Sequence, residues 1–262
     1  MKFSILISSY NKVNYIEKCI QSCLEQTYKN FEIILIDNYS NDGTDTILKK
    51  YEKNIIIKKV FKGSDYSSVN QIDLLKKAFQ ISKGEVACLL DADDYFENNK
   101  LEKLKTIFSK KKEIEVVFDK PKILINSNIN YFKIKNKYSK YIWPTTHPTS
   151  SISIKRSFFK TILEKQLFDN YPLLEIDFRI TNLSKIIYKN FFVTEEIITV
   201  YRKVSDGIMS QIKKFSNKWW IKRLDAHYFI CDIFKKYKIP YKKNYDFYIT
   251  KAIVYLLNRQ NN

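Results

Sequence analysis

The segment EVACLLDADDYF, residues 85–96, ends an apolar run in three carboxylates within four positions, Asp91, Asp93 and Asp94. Carboxylates so spaced have three uses. They can cap or open a helix, because Asp is favoured at N-caps and in first turns, and DDYFENNKLEKLKTIF has the pattern of a helix start. They can converge on a divalent cation, since Mg²⁺ or Mn²⁺ takes one or two carboxylates together with phosphate oxygens. Or one can be a phosphatase nucleophile, but that chemistry sets its DxD after the first strand of a domain, and this one follows the fourth. Asp37 closes an earlier apolar segment, FEIILID, and is followed by the turn formers of DNYSNDGT. A carboxylate there either terminates the strand or accepts hydrogen bonds from a base N–H or ribose hydroxyl. Ser8 and Tyr10 end the first strand-like segment and offer a hydroxyl and a stacking ring. Two further sets lie in the second half: Glu175, Asp177 and Arg179 in YPLLEIDFRI, and His147 beside two prolines in WPTTHPTS. Acids at a helix start favour the macrodipole, and a lone His is more often structural than functional.

Something must bring these residues together, and the hydrophobic pattern says what. FSILISS (3–9) reads as a strand, and YIEKCIQSCLEQ carries Ile16, Cys19, Ile20, Cys23 and Leu24 at helical spacing. FEIILID is then a second strand, which makes a βαβ unit with adjacent parallel strands. NDGTDTILKKYEK, NIIIKKVF and SSVNQIDLLKKAFQIS continue as helix, strand and helix, with a serine available at the last N-cap and Gly84 as a stop signal. EVACLL is the fourth strand. Such alternation implies an open sheet covered by helices on both faces, with ligands bound beyond the carboxyl ends of its strands. The acids of 91–94, SSYN and DNYSNDGT all fall at those ends.

Beyond residue 110, EIEVVFD reads as one more strand, and INSNINYFKIKNKYSKYIWPTTHPTS as strand and loop. From about 155 the pattern is mostly helical, with Trp219, Trp220, Leu224, Tyr228, Cys231 and Phe234 near one stripe of KWWIKRLDAHYFICDIFKKYK.

The chain has 262 residues and 46 Lys and Arg against 28 Asp and Glu, a formal net charge of +18. That excess suits nucleic acid, anionic lipid or an acidic substrate without selecting among them. Its distribution is uneven: residues 201–262 hold 14 Lys and Arg against 4 Asp, a net of +10. Cys19, Cys23, Cys88 and Cys231 lack CxxC spacing and His neighbours, so reduced thiols are expected rather than structural zinc. No basic leader precedes the first strand and no run approaches 18 apolar residues, so a cytoplasmic protein is expected.

The passage ILISSYNKVNYIEKCIQSCLEQTYKNFEIILIDNYSNDGTDTILKKY, followed by SKGEVACLLDADDYFENNKL, resembles the family 2 glycosyltransferases of the GT-A fold. The resemblance covers residues 2–110 and is weaker beyond. It implies a Rossmann-like, mainly parallel central sheet with helices on both faces, plus a mostly helical C-terminal region. Residues 1–110 would be the nucleotide-sugar donor-binding half of the GT-A domain, 111–200 its acceptor-side half, and 201–262 a basic helical extension. It also implies a nucleotide-sugar donor held by Ser8, Tyr10, Asp37, Asp91 and Asp93, with Asp93 and Asp91 on a divalent cation, Mn²⁺ or Mg²⁺. YPLLEIDFRI resembles the segment that supplies the catalytic base of inverting members, Asp177 first and Glu175 second. Arg179 and His147 would meet the diphosphate or the acceptor. Two departures stand out: Asn38 replaces a usual second acid, and Tyr39 a usual glycine.

The expected reaction is sugar transfer to an acceptor hydroxyl by inverting single displacement, in surface polysaccharide or glycolipid assembly, with a saccharide or lipid-linked acceptor. The basic C-terminal region would then touch the anionic inner face of the cytoplasmic membrane. Two rivals are a non-catalytic basic protein on anionic membrane or nucleic acid and a related sugar nucleotidyltransferase. The first leaves the acids at the sheet edge without a purpose, so no nucleic-acid partner is expected. The second lacks its glycine-rich phosphate loop, because SILISSYNK contains no glycine.

Overall fold

A computed structural model of the chain describes residues 1–126, 128–132, 144–164, 170–208, 210 and 212–260. Within the expected strand-and-loop stretch of 125–150, residues 127 and 133–143 lie outside the described residues.

The first half follows the βα pattern: β1 (Phe3–Ser9), α1 (Ile16–Leu24), β2 (Phe31–Asp37), α2 (Thr44–Lys49), β3 (Ile56–Lys59), α3 (Ser67–Ile81) and β4 (Val86–Asp91). β1 pairs parallel with both β2 and β4, in a register that sets Ser9 beside Asp37 and Ser8 beside Asp91. Every residue of β1 is buried, as expected of a strand covered on both faces. Its side chains alternate between two cores. Leu6 joins Ile34, Leu89 and the buried face of α3, whereas Phe3, Ile5 and Ile7 join Ile20, Leu35 and Leu104 on the other face.

The remaining elements are β5 (Tyr95–Phe96), α4 (Lys100–Lys110), β6 (Val116–Phe118), β7 (Lys122–Ile125), β8 (Asn128–Tyr131), β9 (Ile152–Lys155), α5 (Arg156–Glu164), α6 (Ile176–Asn182), β10 (Phe191–Val193), β11 (Thr199–Arg202), α7 (Asn217–Lys236) and α8 (Tyr245–Gln260). The large sheet runs β10-β6-β9-β4-β1-β2-β3, with β9 antiparallel to its neighbours. A small sheet, β5-β11-β7-β8, adjoins the acids, because β5 begins one residue after Asp94.

Four expectations change. The acids of 91–94 do not open a helix: α4 starts at Lys100, and Tyr95–Phe96 instead pair with Val200 and Thr199 of β11, a partner about a hundred residues away. Gly84 is not a helix cap. A Cβ there would lie 2.4 Å from Ser4 Oγ and 2.6 Å from the β1 backbone, so the glycine is needed for close approach, and no serine side chain caps the start of α3. The region after 155 contains β10 and β11, and β11 runs past residue 200. The face that α7 buries is Ala226, Phe229, Ile230 and Ile233, with His227, while Trp219, Trp220, Leu224, Tyr228, Cys231 and Phe234 are only half-buried. The reason is a second neighbour: α7 packs on the core from one side and on α8 from another. All four cysteines are free thiols. No helix among the described residues is long and apolar enough to cross a membrane.

Candidate active site

Beyond the carboxyl ends of β1 and β4 lies a cavity of about 530 Å³, walled by Ser8, Tyr10, Lys12, Asp91, Asp93, Glu175 and Asp177, among others. The parallel register explains the first part of the wall, since strand ends in register deliver their last side chains to one edge.

Each of the three clustered acids has its own partner. Asp91 Oδ1 accepts from Ser8 Oγ at 3.2 Å and from Gln71 Nε2 of α3 at 2.6 Å. Burial, then the neighbouring Asp93 charge, push its carboxyl up to about 7. Asp93 Oδ2 lies 3.2 Å from the ammonium of Lys12, which also meets Asp206 at 2.6 Å. Burial pulls Lys12 down, but these two carboxylates together hold it above the ordinary lysine range. Asp94 is turned away from the cavity: Oδ2 accepts from Ser150 Oγ at 2.6 Å and Oδ1 from the Arg202 backbone N–H at 2.7 Å. Burial and the two neighbouring acids raise its carboxyl well above the usual range.

Asp94 therefore acts as a clasp. Ser150, which it holds, accepts the Asp91 N–H at 3.0 Å, and Arg202 donates from Nε to the Asp93 carbonyl while its guanidinium lies over Tyr15 and Tyr95. Below this clasp, fully buried Lys100 donates to Asp119 Oδ2 (2.7 Å), the Ser150 carbonyl (3.0 Å) and Thr199 Oγ1 (2.6 Å). All three ammonium protons are used, which is what makes a buried lysine tolerable.

Of the other lining acids, Glu175 is the residue immediately before α6 and Asp177 lies in its first turn. Glu175 is ion-paired with Lys222 of α7. Asp177 Oδ1 accepts the Phe178 N–H at 2.6 Å. Its carboxyl is pushed up to about 7, first by burial and then by Glu175, with Lys222 acting in the other direction. Tyr201 of β11 also lines the cavity and feels the charge of both acid groups. Burial, then Asp94, Asp91, Asp93 and Asp177, raise its phenol.

Three expected residues are placed differently. Asp37 is fully buried and off the cavity wall. Its oxygens accept from Ser40 N at 2.8 Å and Ser40 Oγ at 2.6 Å, which shapes the turn after β2. The wall residue here is Asn38, whose amide makes a two-point bond with the Lys62 backbone. Arg179 is also off the wall. Its guanidinium donates to the carbonyls of Leu174, Asn170 and Tyr171, so it braces the approach to Glu175. His147 is at the wall but fully buried, stacked on Phe118 with ring centres 5.0 Å apart. Its Nδ1 pairs with the Asp119 carbonyl at 3.0 Å, an oxygen that only accepts, so Nδ1 carries the proton. Burial and Lys185 lower it to about 3, which keeps the ring neutral.

Lys12, Gln71, Ser150, Tyr201, Arg202 and Lys222 are the site residues that sequence patterning missed. Lys12 alone had a local signal, following SSYN directly. Tyr39, in place of the usual glycine, has φ of 52°, a left-handed conformation that costs a bulky residue.

Sheet order, with an antiparallel strand beside a parallel core and acids at the carboxyl edge of β4, defines the GT-A class of α/β fold. The chain belongs to glycosyl transferase family 2, whose sequence profile matches residues 4–165. Among its relatives, an uncharacterized glycosyltransferase of Nostoc sp. (strain PCC 7120) is 25% identical over 206 residues, covering 74% of this chain and 60% of that protein. The putative teichuronic acid biosynthesis glycosyltransferase TuaG of Bacillus subtilis (strain 168) is 34% identical over 100 residues, 38% of this chain and 39% of TuaG. The chain thus spans less than two thirds of the length of these relatives. Residues 1–349 of S. aureus TarS, solved with UDP-GlcNAc, superpose with a TM-score of 0.66 at 16% identity, over 88% of this chain and 67% of that one. Mannosyltransferase PcManGT from Pyrobaculum calidifontis, solved with GDP-Man and Mn²⁺, gives 0.56 at 16% identity, over 97% and 69%.

Proposed function

We propose that this glycosyltransferase moves a sugar from a nucleotide-diphosphate donor, a UDP-sugar, to an acceptor hydroxyl by a single inverting displacement, in surface polysaccharide or glycolipid assembly. One observation carries the reading: a single cavity is lined both by the held acids Asp91 and Asp93, at the end of β4, and by Asp177, at the start of α6. The UDP-GlcNAc complex of TarS and the teichuronic acid role in the name of TuaG support the donor and the setting.

An acceptor hydroxyl is too weak an acid to attack at neutral pH unless a base takes its proton. Asp177 is that base. Its carboxyl, held near 7, accepts a proton readily without being permanently protonated. Glu175, engaged by Lys222, keeps Asp177 basic by the repulsion of its like charge. On the donor wall, Ser8 and Gln71 fix Asp91, while Tyr10 and Asn38 flank the place of the nucleoside and Asp37 shapes the turn that presents Asn38.

The donor wall also fits a divalent cation. Among the described residues no group of three or more His, Cys, Asp or Glu side chains forms a complete metal site. Asp91 and Asp93 supply carboxylate oxygens alone, the set that Mg²⁺ or Mn²⁺ completes with phosphate oxygens, and Asp93 already faces a cation in Lys12. These two acids would hold the ion, which when bound supplies charge against the departing diphosphate. Lys12, on the same wall, offers further positive charge there.

The test is a thermal-shift screen of UDP, GDP, dTDP and CMP sugars with Mn²⁺, Mg²⁺ or EDTA, on wild type and Asp93→Ala. A Tm rise for UDP-sugars that disappears in the variant supports the donor site. A rise for another base alone corrects the donor, and no rise with any sugar nucleotide overturns the reading.

A further inference from the structure

The last helix leaves a long apolar face in water. α8 is fixed to α7 by its buried side: Phe247 packs edge-on to His227 and Tyr228, and Asp246 accepts from Arg223 Nη2 and pairs with His227. The opposite side carries Tyr245, Tyr248, Ile249, Tyr255 and Leu256, with Tyr245 90% exposed and the others 56–58%. With Ala252 they recur at three- and four-residue steps, so they form one stripe about three turns long. Exposed Lys242 and Lys243 precede the stripe, and exposed Lys251 and Arg259 flank it.

We propose that this stripe is a docking face for an anionic lipid surface. Tyrosines at one level with aliphatic side chains beside them suit the boundary between headgroups and acyl chains, and surrounding Lys and Arg attract acidic headgroups. Charge selects lipid over a second copy of the chain. A two-fold contact sets a patch against itself, and here that would bring together two regions of net +10. Ile249 and Leu256 within the stripe favour acyl chains over stacked bases.

Consecutive residues of α7 link the face to the cavity. Lys222 reaches Glu175 on the cavity wall, and Arg223 grips Asp246, the second residue of α8. A docked α8 is therefore tied through two consecutive residues of α7 to the Asp177 side of the cavity, which would serve an acceptor borne on lipid. That use of the face rests on the sugar-transfer reading; the docking does not.

The experiment is flotation of the 262-residue chain with phosphatidylcholine vesicles and with vesicles containing phosphatidylglycerol, at low and high salt. The expected result is partition onto the anionic vesicles at least about tenfold above the neutral ones, weakened by salt. A variant with Tyr248, Ile249, Tyr255 and Leu256 changed to Ser loses binding by about tenfold or more with Tm and donor-induced thermal shift unchanged. A second, Lys242→Glu/Lys251→Glu, changes two exposed side chains that flank the stripe and loses the anionic preference. Any of four results overturns the proposal: no partition to either vesicle, equal partition to both, wild-type binding by the Ser variant, or a dimer or polynucleotide complex that the Ser variant disperses. Failure here with an intact donor shift leaves the enzymatic reading standing.

Discussion

The two acid pairs of the cavity share a plan and differ in one respect. In each, one acid is paired with a lysine, Asp93 with Lys12 and Glu175 with Lys222, and the other is pushed up to about 7, Asp91 and Asp177. The difference is how the second acid is held. Two side chains from separate elements converge on one oxygen of Asp91, whereas the bond recorded for Asp177 comes from the next backbone N–H. A carboxylate pinned from two directions is suited to fixing a ligand. One anchored by the next backbone N–H is held from a single direction, which suits a group that must take up and release a proton.

That contrast breaks first on conservative substitution. Asp177→Asn is expected to lower kcat by about 10²–10⁴ and leave donor affinity unchanged, whereas Asp91→Asn lowers donor affinity. Steady-state kinetics with donor calorimetry check both, and equal loss of donor binding in the two variants would erase the distinction. Ser150→Ala comes next. It leaves Asp94 and the Asp91 N–H without their shared hydroxyl, at about 1–3 kcal/mol in denaturant unfolding.

The pH profile sharpens the same point. A base must be ionised, so kcat/KM should rise with pH through about 7. Removing Lys222, which lowers the Asp177 carboxyl, moves that limb to higher pH in Lys222→Met. One unit of movement costs up to about tenfold on the acid limb. Lys222→Arg restores the limb, whereas Lys12→Met acts on Asp91, whose carboxyl Lys12 lowers, and so is read in donor binding.

The smallest effect concerns two left-handed tyrosines, one leading into each wall. Tyr39 (φ 52°) is exposed, so Tyr39→Gly should stabilise the protein by about 1 kcal/mol. Tyr171 (φ 63°) packs on Phe229 and bonds Asp232, so Tyr171→Gly destabilises it. Denaturant melts read both.

The part of the cavity at β1 and β4 was legible from sequence because its strands follow one another in βαβ order, and consecutive parallel strands put SSYN and LDADD at one edge without long-range information. The part at α6 was legible only as a short acidic segment at a helix start. What could not be read were contacts across the chain: Arg202 closing on Asp94 over 108 residues, Ser150 on Asp94 over 56, and Lys222 on Glu175 over 47. No periodicity encodes such partners. The same limit explains the misplaced helix start, since Tyr95–Phe96 became strand only because β11 came to meet it. Asp37 ends β2 and Arg179 lies in α6 as the pattern suggests, but their side chains are taken up by Ser40 and by backbone carbonyls.

Lys100 makes the two sheets inseparable. Its ammonium comes from α4, its counter-charge from Asp119 after β6, and its remaining acceptors from Ser150 before β9 and Thr199 on β11. A fragment ending near residue 110, although it contains most of the parallel sheet and the LDADD acids, would carry a lysine with none of these partners. Dissection at that boundary should yield an aggregating chain rather than a nucleotide-binding module, and limited proteolysis should find no stable intermediate there.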